Sequence, residues 1–295
     1  MSEDRGPFDA AARKERITDG WDALAEKWDS WASVVDSWFE PATKVLLEMV
    51  RLKPGDRVLE LAAGSGGLTL HLARVVGPEG RVIATDVGPN MVRLLARNAR
   101  VAGLSNVVAR VMDGENPDKS WASMDVVVCR QGFMFFTDPA AALQRLIRTL
   151  RPAGTLGLTV FSTPDRNEFM ATALSILSRW SRPPDAPAPP TSGPGPFSLG
   201  APGLLESMAR ASGFTDVEAR TVSSPLRLAS LAELLRFYHD ILGDLVEELP
   251  PEIQRKAWDE VARACRTYAG ADSDGAPCEI LVVTGRRPST EGGSP

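Results

Sequence analysis

The stretch V-L-E-L-A-A-G-S-G-G-L-T-L, residues 58–70, runs from an apolar segment through a glycine-rich bend into a second apolar segment. This order is typical of a buried strand, a ligand-binding turn and a helix. Such a turn can hold a phosphate, a dinucleotide or a nucleoside that carries an amino acid. The residues around the bend decide between these three ligands.

Beyond the bend, short runs rich in Val, Ile and Leu alternate with helical segments, which is the pattern of βαβ units in a parallel sheet. The expected strands are 57–62, 81–86, 107–112, 124–129, 154–161, 214–222 and 279–285. The expected helices are 66–76, 89–102, 138–150, 165–181 and 201–212, with two more within 229–269.

The chain is expected to have four parts. Residues 1–50 form an N-terminal helical lid, in which apolar residues at helical spacing predict two helices, the second beginning at Pro41. Residues 51–163 form the cofactor-binding core. Residues 164–275 hold the substrate-side helices, the sixth strand and a proline-rich loop at 181–198, and residues 276–295 hold the last strand and a mobile tail.

Composition narrows the class of protein. The 295 residues carry a formal net charge of -5, so no basic surface for a nucleic acid is expected and a small-molecule substrate fits better. Cys129, Cys265 and Cys278 are far apart and form no C-x-x-C pair, which argues against disulfides and against a metal site. No apolar run is long enough for a membrane span, so we expect a cytoplasmic protein without a membrane partner.

Acidic residues at the strand ends favour a nucleoside that carries an amino acid. Thr69 stands where a dinucleotide fingerprint needs its third glycine, and Glu60, four residues before Gly64, would repel a pyrophosphate but meet an ammonium. Asp86 ends the second strand, where it can accept hydrogen bonds from ribose hydroxyls. Asp113 ends the third strand and can accept from an adenine amine.

The motifs E-L-A-A-G-S-G-G, T-D-V-G-P-N-M and V-M-D-G resemble, in order and spacing, those of class I S-adenosylmethionine-dependent methyltransferases. The segments M-D-V-V-V-C-R-Q-G-F-M-F-F-T-D-P-A-A-A-L and L-R-P-A-G-T-L resemble the ubiquinone/menaquinone-biosynthesis methyltransferase-like group of small-molecule enzymes. The resemblance implies an α/β fold with a doubly wound, Rossmann-like sheet of seven strands, mostly parallel with the last strand antiparallel, plus N-terminal helices and an inserted helical cap. It also implies S-adenosylmethionine as cofactor and S-adenosylhomocysteine as product.

The same resemblance implies a set of cofactor-binding residues: Glu60, Gly64, Gly66, Asp86, Val87, Met91, Asp113, Gly114 and Arg130. The two glycines of the bend would let the backbone approach the methionine part of the cofactor, and Val87 and Met91 would flank the adenine. Arg130 would contact the cofactor through its backbone, or direct its guanidinium at a substrate anion.

Candidates for substrate binding and catalysis come from aromatic and titratable side chains. Trp28 is assigned to the substrate or sulfonium pocket, and Gln131, Phe133 and Phe135 follow the fourth strand at the expected mouth of the active site. Proximity and orientation can supply roughly 7–11 kcal/mol to methyl transfer, so a base is not required. If the acceptor is a hydroxyl group, however, a general base would help to deprotonate it. The candidate base is His239, and Tyr238 is its competitor.

Three functions follow from these patterns. The first is a methyltransferase acting by in-line displacement on an aromatic, quinone-like or specialised natural-product acceptor. The second is a protein that binds S-adenosylmethionine and catalyses a cyclisation or rearrangement without methyl transfer. The third is an NAD-dependent oxidoreductase, which Thr69 and Glu60 disfavour. A homodimer is an open alternative to a monomer.

Overall fold

The computed structural model of the chain describes residues 10–182, 193–270 and 273–289. Within these residues, seven strands form one sheet: β1 (Arg57–Leu61), β2 (Arg81–Asp86), β3 (Val107–Val111), β4 (Met124–Arg130), β5 (Leu150–Phe161), β6 (Thr215–Ser223) and β7 (Glu279–Arg286). Their order is β3-β2-β1-β4-β5-β7-β6. The first five strands are parallel, and β7 is antiparallel to both β5 and β6. The predicted fold class is thereby confirmed.

The helices of the described residues are α1 (Ala10–Ser30), α2 (Ala32–Val50), α3 (Gly67–Val76), α4 (Pro89–Val101), α5 (Pro139–Thr149), α6 (Glu168–Trp180), α7 (Leu204–Ala211), α8 (Leu231–Leu242) and α9 (Pro251–Cys265). Helix α3 packs on β1 and β2, whereas α5 packs on β4 and β5. Right-handed crossovers on either side of β1 place these two helices on opposite faces of the sheet. The sheet is therefore doubly wound.

The two N-terminal helices meet at a different residue from the one predicted. The break between them falls at Trp31, and Pro41 lies inside α2 instead of starting a helix. Proline in a helix interior removes one backbone hydrogen bond. The apolar face of α2 offsets this cost because it buries a continuous row of side chains: Val35, Trp38, Phe39, Ala42, Leu46 and Val50.

Helix α2 approaches the sheet closely because one position of β5 is a glycine. A Cβ on Gly157 would lie 2.7 Å from Leu46 Cδ1 and would also meet Val50 Cγ1. The helix thus covers β5 and its neighbours β7 and β6, and its Asp36 and Thr43 side chains reach Arg130 at the carboxyl end of β4. Ligands of open α/β sheets bind at this edge.

Several parts of the predicted division of the chain can be located in the structure. Helices α8 and α9 lie between β6 and β7 in the chain, and α9 packs on α6. Residues 183–192 of the predicted proline-rich loop and the predicted mobile ends, 1–9 and 290–295, lie outside the described residues. Across the described part of the chain, no helix combines the length and the apolar character needed to cross a bilayer.

Candidate functional site

A cavity of about 670 Å³ opens at the carboxyl edge of the sheet, between α1, α2 and α8. Eleven of the predicted cofactor and substrate residues belong to its wall: Glu60, Gly64, Asp86, Val87, Met91, Asp113, Gly114, Arg130, Trp28, Gln131 and Phe135. The structure therefore brings together residues that span more than 100 positions of the chain. One end of the wall is polar and the other is apolar.

The glycine-rich bend follows β1 and turns in a left-handed conformation. Gly64 has a φ of 55° and Gly66 a φ of 101°, values that glycine adopts without strain. A Cβ on Gly66 would lie 3.1 Å from Leu95 Cγ, because this residue faces α4 and not the cavity. Gly66 caps the start of α3, and its predicted backbone contact with the cofactor stays a prediction.

Asp86 fixes the bend to the end of β2. Its Oδ2 accepts a hydrogen bond from the backbone N–H of Gly64 at 2.9 Å, and its Oδ1 accepts from that of Gly88 at 3.0 Å. Burial raises the pKa of the carboxyl group, and these backbone donors oppose the rise. Each carboxylate oxygen can accept more than one hydrogen bond, so the group fits a ribose with two hydroxyls.

Glu60 is a buried carboxyl group in the wall, with a 1 % exposed side chain. It accepts a hydrogen bond of 2.6 Å from the hydroxyl of Thr69, the residue that interrupts the dinucleotide fingerprint. Burial raises the pKa of Glu60 to about 8, against the opposing effects of the Thr69 hydroxyl and the Arg130 charge. A ligand ammonium would supply the counter-charge that this carboxyl group needs when ionised.

The guanidinium of Arg130 lies on the same face of the sheet as Glu60, because Glu60 pairs with Val128 of β4. Its Nη1 donates to the Thr43 hydroxyl at 3.1 Å and its Nη2 lies 3.4 Å from Asp36 Oδ1. Burial lowers the pKa of Arg130. A buried carboxyl group and a buried guanidinium in one wall complement the ammonium and carboxylate of an amino acid.

Sequence reasoning missed Asp36 and Thr43, the two α2 side chains that hold Arg130. They lie three to four residues from Phe39, whose ring centroid is 5.5 Å from the Arg130 guanidinium. The spacing of 36, 39 and 43 places them on one helix face, so this periodicity was the available signal.

The predicted adenine end of the cavity is covered by α1. Lys14 donates from Nζ to Asp113 Oδ2 at 2.7 Å, and the same ammonium lies 3.1 Å from Glu115 Oε1. Burial opposes the shift, but the hydrogen bonds from Lys14 and Asn116 lower the pKa of Asp113 overall. Asp113 therefore binds a lysine in this structure, where the sequence predicts an adenine amine.

Lys14 and Glu115 were also missed. Lys14 contacts residues about 100 positions later in the chain, a distance over which local sequence patterns carry no signal. Glu115 is buried and accepts hydrogen bonds from the backbone N–H and the hydroxyl of Thr137. The Lys14 contact depends on the tertiary packing of α1 against the segment after β3, and the Glu115 contact on the meeting of the segments that follow β3 and β4.

The far end of the cavity is apolar and aromatic. Its wall includes Trp38, Phe39, Phe161, Met170 and Phe237. The ring centroids of Trp38 and Phe161 lie 5.7 Å apart, and those of Trp38 and Phe39 lie 4.3 Å apart. An apolar ring system fits such a surface.

Two of the predicted substrate residues, Phe135 and Phe133, lie on different sides of the turn after β4. Phe135 lies in the wall and packs edge-on against Trp21, with ring centroids 5.4 Å apart. Phe133 is fully buried against Phe136 and does not belong to the wall, so its assignment to substrate binding is corrected. The short turn after β4 therefore buries Phe133 in the core and places Phe135 and Phe136 in the cavity wall.

The predicted catalytic residues, Tyr238 and His239, lie outside the cavity wall. The Tyr238 side chain is buried, its hydroxyl donates to the carbonyl of Phe169, and burial raises its pKa. His239 is exposed and stacks on Trp258, with ring centroids 5.1 Å apart. Because α8 turns Phe237 and Ile241 toward the cavity, positions 238 and 239 point away from it, so both catalytic assignments are corrected.

Comparisons with known proteins agree with this geometry. Residues 58–154 match the family model described as a methyltransferase domain. The chain is 30% identical over 269 residues to nocamycin O-methyltransferase of Saccharothrix syringae, covering 87% of this chain and 94% of that protein. It is 32% identical over 136 residues to the ubiquinone/menaquinone biosynthesis C-methyltransferase UbiE of Shewanella frigidimarina, covering 45% of this chain and 53% of that protein.

Among solved structures, the [4+2]-cyclase SpnF shares the fold, with a TM-score of 0.58, 18% identity and coverage of 91% of this chain and 96% of that one. The match along nearly the whole O-methyltransferase relative carries more weight than this likeness of fold. Together with the matched domain and the residues at the strand ends, it shows that the chain belongs to the class I S-adenosylmethionine-dependent methyltransferases that act on small molecules.

Proposed function

We propose that this enzyme transfers the methyl group of S-adenosylmethionine to an oxygen atom of an apolar small molecule of the aromatic, quinone-like or specialised natural-product class. The observation that carries the proposal is the cavity itself, which joins a polar end suited to an amino-acid-bearing nucleoside with an aromatic end. The name of the relative matched along 87% of the chain, an O-methyltransferase, supports oxygen as the acceptor atom.

In this proposal the polar end holds the cofactor through three charged side chains. Asp86 accepts from the ribose hydroxyls, and Glu60 and Arg130 bind the ammonium and the carboxylate of the methionine part. Val87 and Met91 flank the adenine, beside the Gly114 backbone. A Cβ on Gly114 would lie 2.7 Å from Phe136 Cζ, so glycine is needed there for the loop to lie against this ring.

The cofactor supplies a methyl group already activated on a positively charged sulfur. The residues of this chain hold the two reactants in line and exclude water, which can supply roughly 7–11 kcal/mol of rate enhancement. Trp28 and Phe135 are proposed to line the place where the two ends of the cavity meet. Helix α1 is proposed to act as a lid over the cofactor.

The test of this function is calorimetric titration of the protein with S-adenosylmethionine, S-adenosylhomocysteine and NADH. We expect the first two to bind and NADH to fail. Asp86→Ala should weaken binding by about 1–3 kcal/mol, because a charged hydrogen-bond acceptor is lost. The control is Asp165→Ala, which removes a 77 % exposed carboxylate outside the cavity wall and should leave the affinity unchanged.

A second assay separates methyl transfer from the cyclase alternative. Wild-type protein is incubated with S-adenosylmethionine and a panel of hydroxylated aromatic compounds, and formation of S-adenosylhomocysteine is followed. Product formation that depends on the acceptor supports methyl transfer. Tight cofactor binding without S-adenosylhomocysteine from any acceptor would favour a reaction in which the cofactor is kept.

A further inference from the structure

Gln131 is a wall residue whose side-chain amide has no hydrogen-bond partner within the described chain. Its Nε2 and Oε1 are both shielded from solvent and both unpaired. Buried amides without partners are rare in folded proteins, because desolvation of the two polar atoms is then not compensated. Where one occurs in the wall of a cavity, a ligand is the natural source of the missing partners.

The backbone of Gln131 is held in place although its side chain is not. Its φ is 60°, in the left-handed region that side-chain-bearing residues seldom adopt. Its N–H donates to the carbonyl of Thr159 on β5 at 3.0 Å and to the Thr159 hydroxyl at 3.1 Å. An unfavourable conformation that is fixed by neighbouring strands is a feature of functional positions.

The surroundings of Gln131 indicate which kind of ligand group it receives. Phe161 ends β5 two residues after Thr159, and its ring lies in the wall with Trp38 and Met170. The nearest cation in the sequence, Arg130, contacts Asp36 and Thr43 and is assigned by the proposed function to the carboxylate of the cofactor. An amide that both donates and accepts, in a wall that also carries aromatic rings, matches an uncharged hydroxyl or carbonyl better than an ion.

From these observations we infer that Gln131 is a specificity-determining residue that binds an uncharged oxygen of the methyl acceptor, and that the acceptor is an apolar ring system bearing a neutral hydroxyl or carbonyl group. This inference rests on the proposed function and refines its substrate class. The amide holds the oxygen-bearing edge of the ring while the aromatic wall takes the rest of the molecule.

The first test needs no substrate. Gln131→Met keeps the length of the side chain and removes both unpaired polar atoms, so we expect a higher thermal unfolding midpoint for the ligand-free protein. Gln144→Met, on the exposed face of α5, is the matched control and should leave the midpoint near that of the wild type. A lower midpoint for Gln131→Met would mean that the amide has partners within the fold, and would overturn the inference.

The second test uses three probes on protein loaded with S-adenosylhomocysteine: 1-naphthol, naphthalene and 1-naphthoate. We expect 1-naphthol to bind about fivefold to tenfold more tightly than naphthalene, and this ratio to fall to near one in Gln131→Met. The affinity for S-adenosylhomocysteine itself should be unchanged in the variant. Gln144→Met should keep the wild-type preference.

Three outcomes contradict the inference. Equal loss of S-adenosylhomocysteine and naphthol affinity in Gln131→Met would assign the amide to the cofactor. Tighter binding of 1-naphthoate than of 1-naphthol would indicate an anionic acceptor. No binding of 1-naphthol to the loaded protein would show that the aromatic end of the cavity does not receive neutral rings. Failure of S-adenosylhomocysteine to bind the wild-type protein would instead contradict the proposed function.

Discussion

Glu60 shows how a single buried side chain can prepare a site for a charged ligand. Water is excluded from its carboxyl group, and one hydroxyl, that of Thr69, donates to it. Burial raises its pKa from an ordinary value of 4.5 to about 8. The ligand-free protein therefore keeps a proton on Glu60 at neutral pH, and a bound ammonium would favour its release.

This pKa leads to a prediction about stability and pH. Between pH 4.5 and about 8 the folded protein holds a proton that the unfolded chain has released, so the free energy of unfolding falls as the pH rises. Glu60 contributes a slope of at most about 1.4 kcal/mol per pH unit. Chemical denaturation of ligand-free protein from pH 5 to 8 measures this slope. In Glu60→Gln the free energy of unfolding should fall less steeply as the pH rises.

The matched control for this prediction is Glu40→Gln, at a glutamate that is 56% exposed on α2. Its side chain is hydrated in the folded and the unfolded chain, so the wild-type slope should remain. If Glu60→Gln also retains the full wild-type slope, the carboxyl group is ionised in the folded protein and the proposed role of its proton is wrong.

At the scale of elements, α1 is attached to the core at both ends. Along α4, Asp22 accepts from the backbone and the side chain of Asn90, and Asp29 accepts from Asn98 at 2.8 Å. At the other end, Lys14 reaches the carboxylate of Asp113 that follows β3. Because residues of α1 line the polar end of the cavity, we expect its first turns to move when a ligand of nucleoside size leaves.

The Lys14 contact predicts a kinetic effect. Lys14→Met removes an ion pair in which both side chains are about 30% exposed, and should speed the dissociation of S-adenosylhomocysteine about fivefold, which corresponds to roughly 1 kcal/mol. Stopped-flow measurement of tryptophan fluorescence reports this dissociation rate, because Trp21 and Trp28 lie in the cavity wall. Lys44→Met, on the solvent face of α2, removes the exposed pair with Glu40 and should leave the rate unchanged. An unchanged rate in Lys14→Met would show that this contact does not retain the ligand.

At the scale of the whole molecule, α2 joins the sheet to the cavity. Its buried row packs on β5, β6 and β7, and its Asp36, Phe39 and Thr43 contact Arg130 at the site. A shift of this helix therefore changes both the core and the position of the guanidinium. If Arg130 binds the cofactor as proposed, we expect stability and cofactor binding to be coupled through α2.

Gly157 tests the close approach of α2 to the sheet. Gly157→Ala places a methyl group 2.7 Å from Leu46 Cδ1, so α2 must move, and the free energy of unfolding should fall by about 1–3 kcal/mol. Gly20→Ala is the matched control, because no heavy atom lies within 4 Å of its added Cβ and alanine favours the helix α1. Thermal unfolding of both variants gives the comparison. Stability of Gly157→Ala equal to the wild type would contradict the close approach of α2.

The pattern of residues alone predicted the seven strands and the helices between them. This succeeded because hydrophobic periodicity and glycine or proline punctuation act over a few residues. The same local logic placed Glu60, Asp86 and Asp113 at strand ends, where the parallel sheet brings them to one edge. The family followed from these motifs, and the comparisons confirm it.

Tertiary packing decided what the local patterns left open. Pro41 lies inside α2 because burial along the helix outweighs one lost hydrogen bond, and the phase of α8 turns Phe237 to the cavity and His239 to solvent. Lys14 meets Asp113 across 99 positions of the chain, and the unpaired amide of Gln131 is evident only once its neighbours are known. Sequence determines which residues share an element, whereas contacts between distant elements determine which of them share a cavity.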